Sequence, residues 1–329
     1  MKFENFTDKE VLITGGLGFI GSNLAIKLVE LGAHVTIIDS MIPEYGGNIK
    51  NIEPVKDKIT INYSDVRDEF SVKYLIQQKD FLFNLAGQTS HIDSMTNPFQ
   101  DLEINAKSQL SILEACRKYN PSIKIVFAST RQLYGKPQYL PVDEKHPIIP
   151  VDVNGINKLS GESYHLLYND VYNIDACVLR LTNTYGPRLR VKDARQTFLG
   201  IWIRTVLEDK PFLIFGDGEQ VRDYNYVDDV VDAFLLAALS EKSNGEIYNL
   251  GESNPISLNE TARLLIQENL KGESKLVSFP EDRKSIDIGD FYGDFSKIKE
   301  ELEWSPKVSF QEGIRRTLAY YKENLNHYI

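Results

Sequence analysis

Cysteine is nearly absent from this sequence, and so are the patterns that usually go with it. The two cysteines, Cys116 and Cys177, sit in separate apolar stretches, so a disulfide framework is excluded and no metal-ligand spacing is present. They read as buried thiols, and no metal site is expected. No apolar run reaches the roughly 18 residues that a membrane helix needs. Positive charge is also in deficit: 37 Lys and Arg face 47 Asp and Glu, a net charge of −10. Such a field disfavours non-specific nucleic-acid binding, and it requires any anionic ligand to be held by a local cluster of cations. Met1 to Lys9 is polar and carries no signal-peptide pattern, which with the missing apolar run predicts a cytoplasmic protein without membrane contact. Internal repeats and low-complexity tracts are likewise missing. What remains is an ordinary globular balance, 42% hydrophobic and 26% charged, over 329 residues, enough for one large domain or two modest ones.

Against that background one stretch stands out, Thr14-Gly15-Gly16-Leu17-Gly18-Phe19-Ile20-Gly21-Ser22. It follows the apolar run Glu10 to Ile13 and precedes the amphipathic run Asn23 to Leu31, giving the order strand, glycine-rich turn, helix. Gly15, Gly18 and Gly21 allow a sharp turn and close approach to a pyrophosphate, while the helix start offers unpaired N–H groups and a positive dipole end. The next β-branched run, His34 to Ile38, ends in Asp39, 18 residues beyond Gly21. A carboxylate at the end of the second strand of a βαβ unit can accept from both adenosine ribose hydroxyls and repels a 2′-phosphate. Asp39, with Ser40 beside it, therefore favours NAD over NADP.

The alternation continues. Lys58 to Asn62, Phe81 to Gly87, Ile123 to Ala128 and Ile174 to Arg180 read as strands; Leu102 to Tyr119 and Val151 to Asp170 read as helices; Pro137 to Pro150, with four prolines, reads as a loop. Ile104, Leu110, Leu113 and Ala115 are available for packing on the first of those helices. Small residues at the end of the run, Leu85-Ala86-Gly87, leave room for a ligand at a strand's carboxyl end. Repeated strand–helix units predict an α/β fold with a doubly wound parallel Rossmann sheet. The rhythm loosens after residue 182. The expected division is a cofactor domain over 1–182, with a return strand near 226–250, and a smaller C-terminal α/β substrate domain over 183–329. Gln311 to Leu325 reads as a closing helix with Ile314, Leu318 and Tyr321 on one face.

By Thr130 the chain resembles the extended short-chain dehydrogenase/reductase family, the NAD-dependent nucleotide-sugar epimerases and dehydratases. The resemblance spans nearly the whole chain. It rests on an ordered set: Thr14 to Gly21, Asp39, Asp65-Val66, Asn84 to Gly87, Asn105, Ser129-Thr130 before Leu133-Tyr134-Gly135, Lys158 before Gly161-Glu162, Arg180 to Arg188, Gly216-Asp217-Gly218, Arg222-Asp223-Tyr224 and Val227 to Val230. It implies an NAD-binding Rossmann domain and a smaller domain for a nucleotide-diphosphate sugar. Asp65 and Val66 would meet the adenine. Phe19, Ile20, Leu85, Ala86, Gly87, Asn105, Ser129 and Leu181 would follow the dinucleotide. Gln88, Asn183, Arg195, from the run Arg188 to Arg195, and Arg222 would face the substrate, with Asn183 donating to phosphate. Lys284 is the best match to a diphosphate cation that precedes Asp294-Phe295-Ser296-Lys297, and Arg283 is the alternative. A homodimer through the helices Leu102–Tyr119 and Asn154–Asp170 is also implied.

One position departs from the resemblance. The family's chemistry uses a Ser or Thr, a Tyr and, four residues on, a Lys that lowers the Tyr pKa. Thr130 and Lys158 match, but Asn154 stands where the Tyr is expected, and no tyrosine lies in register. An amide is no base near neutral pH; it can only orient a hydroxyl or a water. A replacement base could be Thr130 acting with Lys158 through water, or His91 from Gln88-Thr89-Ser90-His91. Alternatively oxidation is slow and NAD is held permanently, or the chemistry is lost. Arg131-Gln132, after Thr130, cannot do the acid–base work of the Asp-Glu pair found there in family members that remove water across C5–C6, which disfavours a 4,6-dehydratase. The expectation is thus an NAD-dependent epimerase acting at C4, an isomerase of carbohydrate biosynthesis. A net nucleotide-sugar dehydrogenase and a catalytically silent binding protein are the rivals.

Overall fold

The strand runs are apolar at successive positions, so a sheet built from them must be covered on both faces. The computed structural model, which describes residues 3–284 and 286–329, has that architecture. Strands β1 (Glu10–Thr14), β2 (His34–Ile38), β3 (Thr60–Asn62), β4 (Phe81–Asn84), β5 (Lys124–Thr130) and β6 (Ala176–Leu181) alternate with helices α1 (Phe19–Glu30), α2 (Glu69–Leu75), α3 (His91–Thr96), α4 (Pro98–Leu102), α5 (Ser108–Tyr119) and α6 (Val153–Tyr172). Beyond them come β7 (Asn183–Tyr185), α7 (Phe198–Leu207), β8 (Phe212–Phe215), β9 (Val221–Arg222), β10 (Tyr224–Tyr226), α8 (Val227–Leu239), β11 (Ile247–Asn249), β12 (Ile256–Ser257), α9 (Leu258–Asn269), β13 (Ser274–Val277), α10 (Glu281–Lys284), α11 (Ser296–Leu302) and α12 (Phe310–Asn324).

Seven strands form one parallel sheet in the order β11-β6-β5-β4-β1-β2-β3. The direction of winding reverses between β1 and β4, where Thr14 lies opposite both Ile38 and Asn84, and the crevice that receives a ligand opens there. Side chains alternate between faces. Val11, Ile13, Phe83, Val126, Cys177 and Leu179 meet Leu24 and Leu28 of α1 and Val230 and Phe234 of α8. Leu12, Leu82, Ile125 and Ala176 meet Val72 of α2, Ile112 and Cys116 of α5 and Tyr168 of α6. The cysteines are thus buried on opposite faces, and burial pushes both thiols up to about 12. A second core joins Trp202, Ile203, Phe212, Leu265, Ile314, Leu318 and Tyr321 among the C-terminal elements. The pairs β7–β10, β8–β13 and β9–β12 carry that region. It stays tied to the main sheet: β11 pairs with β6, and Trp304 donates its indole N–H to the Asp229 carbonyl at 2.8 Å.

Two local expectations change. The helix expected over 102–119 is broken by a π-turn, Glu103–Lys107, between α4 and α5. The wide turn aims Asn105 inward, where its amide reaches the Gln88 carbonyl at 2.9 Å and the Asp101 carboxylate at 3.1 Å. Ile104, Leu113 and Ala115 are buried, but Leu110 is exposed. His91, for which no element was expected, opens α3, and the Ser90 hydroxyl caps that helix by accepting the Asp93 N–H at 3.1 Å. Among the described residues no helix is long and apolar enough to cross a membrane, and no cluster of His, Cys, Asp and Glu could hold a metal.

Candidate active site

The carboxyl ends of β1, β2, β4, β5 and β6 open into a cavity of about 700 Å³. At its floor the glycine-rich turn leaves no room for side chains. A Cβ on Gly21 would lie 2.3 Å from the Gly15 carbonyl oxygen, and Gly15 itself has φ +70°. Gly18 is the N-cap of α1 and no side chain caps that helix, whose first residues line the cavity. Phe19, Ile20, Gly15, Gly18 and Gly21 all line the cavity. Asp39 reaches it from β2 and accepts the N–H groups of Leu17 at 2.9 Å and Met41 at 2.8 Å. Burial raises its pKa in spite of those two donors. Ser40, Asp65 and Val66 flank it. Asp65 pairs with Arg67 at 2.8 Å, and that guanidinium holds its carboxyl below the ordinary value.

The loop after β4 is fixed from below. The Thr14 hydroxyl donates to Asn84 at 2.8 Å and accepts the Leu85 and Ala86 N–H groups at 3.1 Å, which sets Leu85, Ala86 and Gly87 along the cavity wall. Under the end of β5, Ser129 donates to Glu162 at 2.8 Å, and Glu162 forms a buried pair with Arg180. This buttress presents Thr130 to the cavity beside Leu181 and Asn183.

The wall that carries Asn154 and Lys158 is built on α6. Asp152 caps it, accepting the Gly155 N–H at 2.7 Å, and the helix then carries Asn154 and Lys158 to the cavity on one face. The Lys158 ammonium is buried and donates to the Ala128 carbonyl at 2.9 Å, and burial lowers its pKa to about 8. Asn154 is held hard: its backbone N–H donates to Ser94, and its amide donates to the Gln88 carbonyl at 2.8 Å and to Asp101 at 3.0 Å. Asp101, fully buried, also accepts from Asn105 and Asn157. Both amide hydrogens of Asn154 are taken up, so Oδ1 is what it can offer a substrate hydroxyl.

His91 lines the same cavity and is partly exposed, with Nδ1 3.0 Å from the buried Asp152 carboxylate. The ring lies off the line of a well-formed hydrogen bond to that carboxylate. Asp152 also accepts the Gln132 amide at 2.9 Å. Burial raises the Asp152 pKa, but His91, the Gly155 N–H and Gln132 together outweigh that and hold it below the ordinary value.

The family model for GDP-mannose 4,6 dehydratase matches residues 12–317. The chain belongs to the extended short-chain dehydrogenase/reductase family of nucleotide-sugar epimerases and dehydratases. A Methanocaldococcus jannaschii protein provisionally named as a UDP-glucose 4-epimerase is 37% identical over 319 residues, 95% of this chain and 99% of its own. The UDP-glucose 4-epimerase of Thermotoga maritima, crystallised with UDP-glucose, superposes with a TM-score of 0.88 at 32% identity, covering 96% of this chain and 99% of that one. That of Thermus thermophilus, solved with NAD, gives 0.84 at 31%, covering 95% and 99%. NAD is the cofactor, and the glycine cradle, the free helix start and Asp39 fit it.

The expected dinucleotide residues line one cavity, except Asn105, which lies behind its wall. A Cβ on Gly87 would stand 2.9 Å from the Asn105 side-chain oxygen, which has no partner. Of the expected substrate residues, Thr130, Asn183 and Arg195 line the cavity, Arg195 pairing with Asp93 at 2.8 Å. Gln88 is buried, and its amide is turned to the Ser90 carbonyl at 2.8 Å. Arg222 lies outside the cavity lining; it donates to the Val221 and Gly289 carbonyls and to Gln220. Lys284 is exposed and also outside the lining, and the side chain of Arg283 lies outside the described residues. Sequence reasoning missed Asp152 and Asp101. Asp152 carried a signal, an aspartate just before the helical run that holds Asn154 and Lys158. Asp101 carried none, because its three amide partners come from different turns.

Proposed function

We propose that this enzyme is an NAD-dependent nucleotide-sugar 4-epimerase in which His91 takes the role that a tyrosine plays in its relatives. The observation that carries the reading is the His91–Asp152 contact at the cavity wall. A buried carboxylate at Nδ1 favours the tautomer whose Nε2 is free to accept a proton. Asn154 contributes no basic atom, and the Lys158 ammonium is engaged with Ala128. In this scheme Thr130 hydrogen-bonds the reacting hydroxyl, Asn154 Oδ1 orients it, and His91 removes its proton. NAD, held by the Gly15, Gly18 and Gly21 cradle and Asp39, would supply the hydride acceptor and donor for that carbon. Lys158 supports the cofactor ribose and adds a fixed positive charge. The 4-epimerase names of the two relatives solved as crystal structures support the choice of C4, and Arg131-Gln132 offer no acid–base pair for dehydration.

We also infer a homodimer. Met95, Phe99 and Leu102, with Ile156, Leu167 and Val171 on α6, are exposed apolar side chains that a second copy would cover. The test incubates the purified holoenzyme with UDP-, dTDP-, GDP- and CDP-hexoses and follows product stereochemistry by NMR and absorbance at 340 nm. Interconversion of C4 epimers, lost in His91→Ala while NAD stays bound, is the expected result. Net reduction of NAD without epimer formation would make it a dehydrogenase. No chemistry with any sugar would make it a binding protein. Unchanged turnover in His91→Ala excludes the proton role.

A further inference from the structure

Arg131 follows Thr130 and begins the single 3-10 turn Arg131–Tyr134 that closes β5 at the cavity. Its guanidinium is positioned on two sides. Nη2 donates to the Asn183 side-chain oxygen at 3.0 Å, and the Phe291 ring lies beneath at 5.0 Å. Nη1 is buried and makes no hydrogen bond. Among the described residues no carboxylate pairs with Arg131: Asp223 is engaged by Thr182 and by the Gly293 N–H at 2.9 Å, and Asp287 faces Arg222 at 3.8 Å. Burial, and next the nearby Arg222 charge, press its pKa down to about 10. A buried, oriented cation with a vacant donor and a like-charged neighbour is a site waiting for an anion.

We propose that Arg131 receives a carboxylate on the sugar, and that the substrate is a nucleotide-diphosphate hexuronate. This rests on the reading of the cavity as a nucleotide-sugar site with Thr130 at the reacting hydroxyl. The residue next to Thr130 then faces the exocyclic group on the neighbouring ring carbon. A guanidinium fork matches a carboxylate there in a way that it does not match a neutral CH₂OH. The sequence around Thr130 becomes coherent as well. A carboxylate at C6 leaves no hydroxyl to eliminate, so no acid–base pair is needed after Thr130, and Arg131-Gln132 stand there instead.

The same guanidinium could be drawn to the diphosphate, and binding measurements separate the two. The holoenzyme and its Arg131→Met and Arg131→Lys variants are titrated calorimetrically with UDP, UDP-glucose and UDP-glucuronate, and with GDP, GDP-mannose and GDP-mannuronate. The wild type should bind the uronate at least tenfold tighter than the matching hexose in one series. Arg131→Met should erase that preference while changing affinity for the nucleoside diphosphate and the hexose less than threefold, and Arg131→Lys should retain part of it. Bound NAD and the melting temperature of each variant verify folding. Equal loss for the bare nucleoside diphosphate assigns Arg131 to the diphosphate and overturns the proposal. So does the absence of an acid preference in both series. A uronate bound with preference but never epimerised sinks the 4-epimerase reading and leaves Arg131 in place; a hexose epimerised in preference to its uronate does the reverse.

Discussion

Asp152→Asn separates the two tasks that Asp152 performs. In the native chain one oxygen caps α6 through the Gly155 N–H at 2.7 Å, and the other meets His91 at 3.0 Å and Gln132 at 2.9 Å. Asparagine caps a helix about as well as aspartate. What stability loses is the negative charge at the helix start, worth about 0.5 kcal/mol and at most roughly 2 in a partly buried setting. In a chain of this size that lowers the melting temperature by only a few degrees. The effect on turnover should be far larger. General-base catalysis contributes about 10²–10⁴-fold, and an amide at Asp152 neither fixes the His91 tautomer nor stabilises the imidazolium that forms. We therefore expect kcat to fall by about 100-fold or more, with little change in KM and with NAD retained. Acid stability supplies a second readout. The Asp152 carboxyl titrates below its ordinary value in the folded chain. Its contribution is therefore complete above the unfolded value near 3.8 and is lost as pH falls through the lower folded value. Asp152→Asn should flatten that part of the urea-midpoint profile, its deficit being fully present near neutral pH and vanishing at the acid end. A kcat within threefold of wild type, in a variant that melts normally, would refute the assigned coupling to His91.

Three further outcomes follow from the same geometry. Lys158→Met removes a buried ammonium whose pKa of about 8 marks a desolvation cost of roughly 3 kcal/mol; the apoprotein should melt no lower at pH 7 while turnover disappears, and a drop of more than about 5 °C would contradict the burial argument. Glu162→Ala strands Arg180, which is 2% exposed, so urea denaturation should show a loss of about 3–5 kcal/mol. Gly21→Ala places a methyl against the Gly15 carbonyl, and the purified protein should carry no NAD, as read by absorbance of the heat-released supernatant.

The parallel sheet was legible because its strands are apolar on both faces and its helices are not, a contrast that survives in the linear order. The glycine-lined end of the cavity was legible for a related reason: the places of Gly15, Gly18, Gly21 and Asp39 are set by backbone space and one strand end, both of which have local signatures. The end built on α6 was less so. Asn154 and Lys158 share a helix face and could be paired by spacing, but His91 acquires its meaning only from Asp152, 61 positions away. The π-turn at Glu103–Lys107 was invisible because its cause, the pull of Asn105 toward Gln88 and Asp101, is tertiary. Arg222 and Lys284 matched by order alone, and order says nothing of which way a side chain turns. Arg131 entered the sequence reading only as a disqualification, although a buried arginine at a cavity wall is a positive statement about charge.

The pairing of β11 with β6 has a consequence for how the chain is made. β6 ends at Leu181, and its partner does not begin until Ile247. At a synthesis rate of about 5–20 residues per second, a ribosome takes several seconds to deliver that partner. Throughout that interval β6, whose residues become buried, presents an unpaired apolar edge, the kind of surface that recruits other nascent chains. The cover for the α8 face arrives later still, with Trp304. Folding of the main sheet during synthesis is thus gated by the C-terminal region, and a chain cut after residue 182 should depend on chaperones or aggregate.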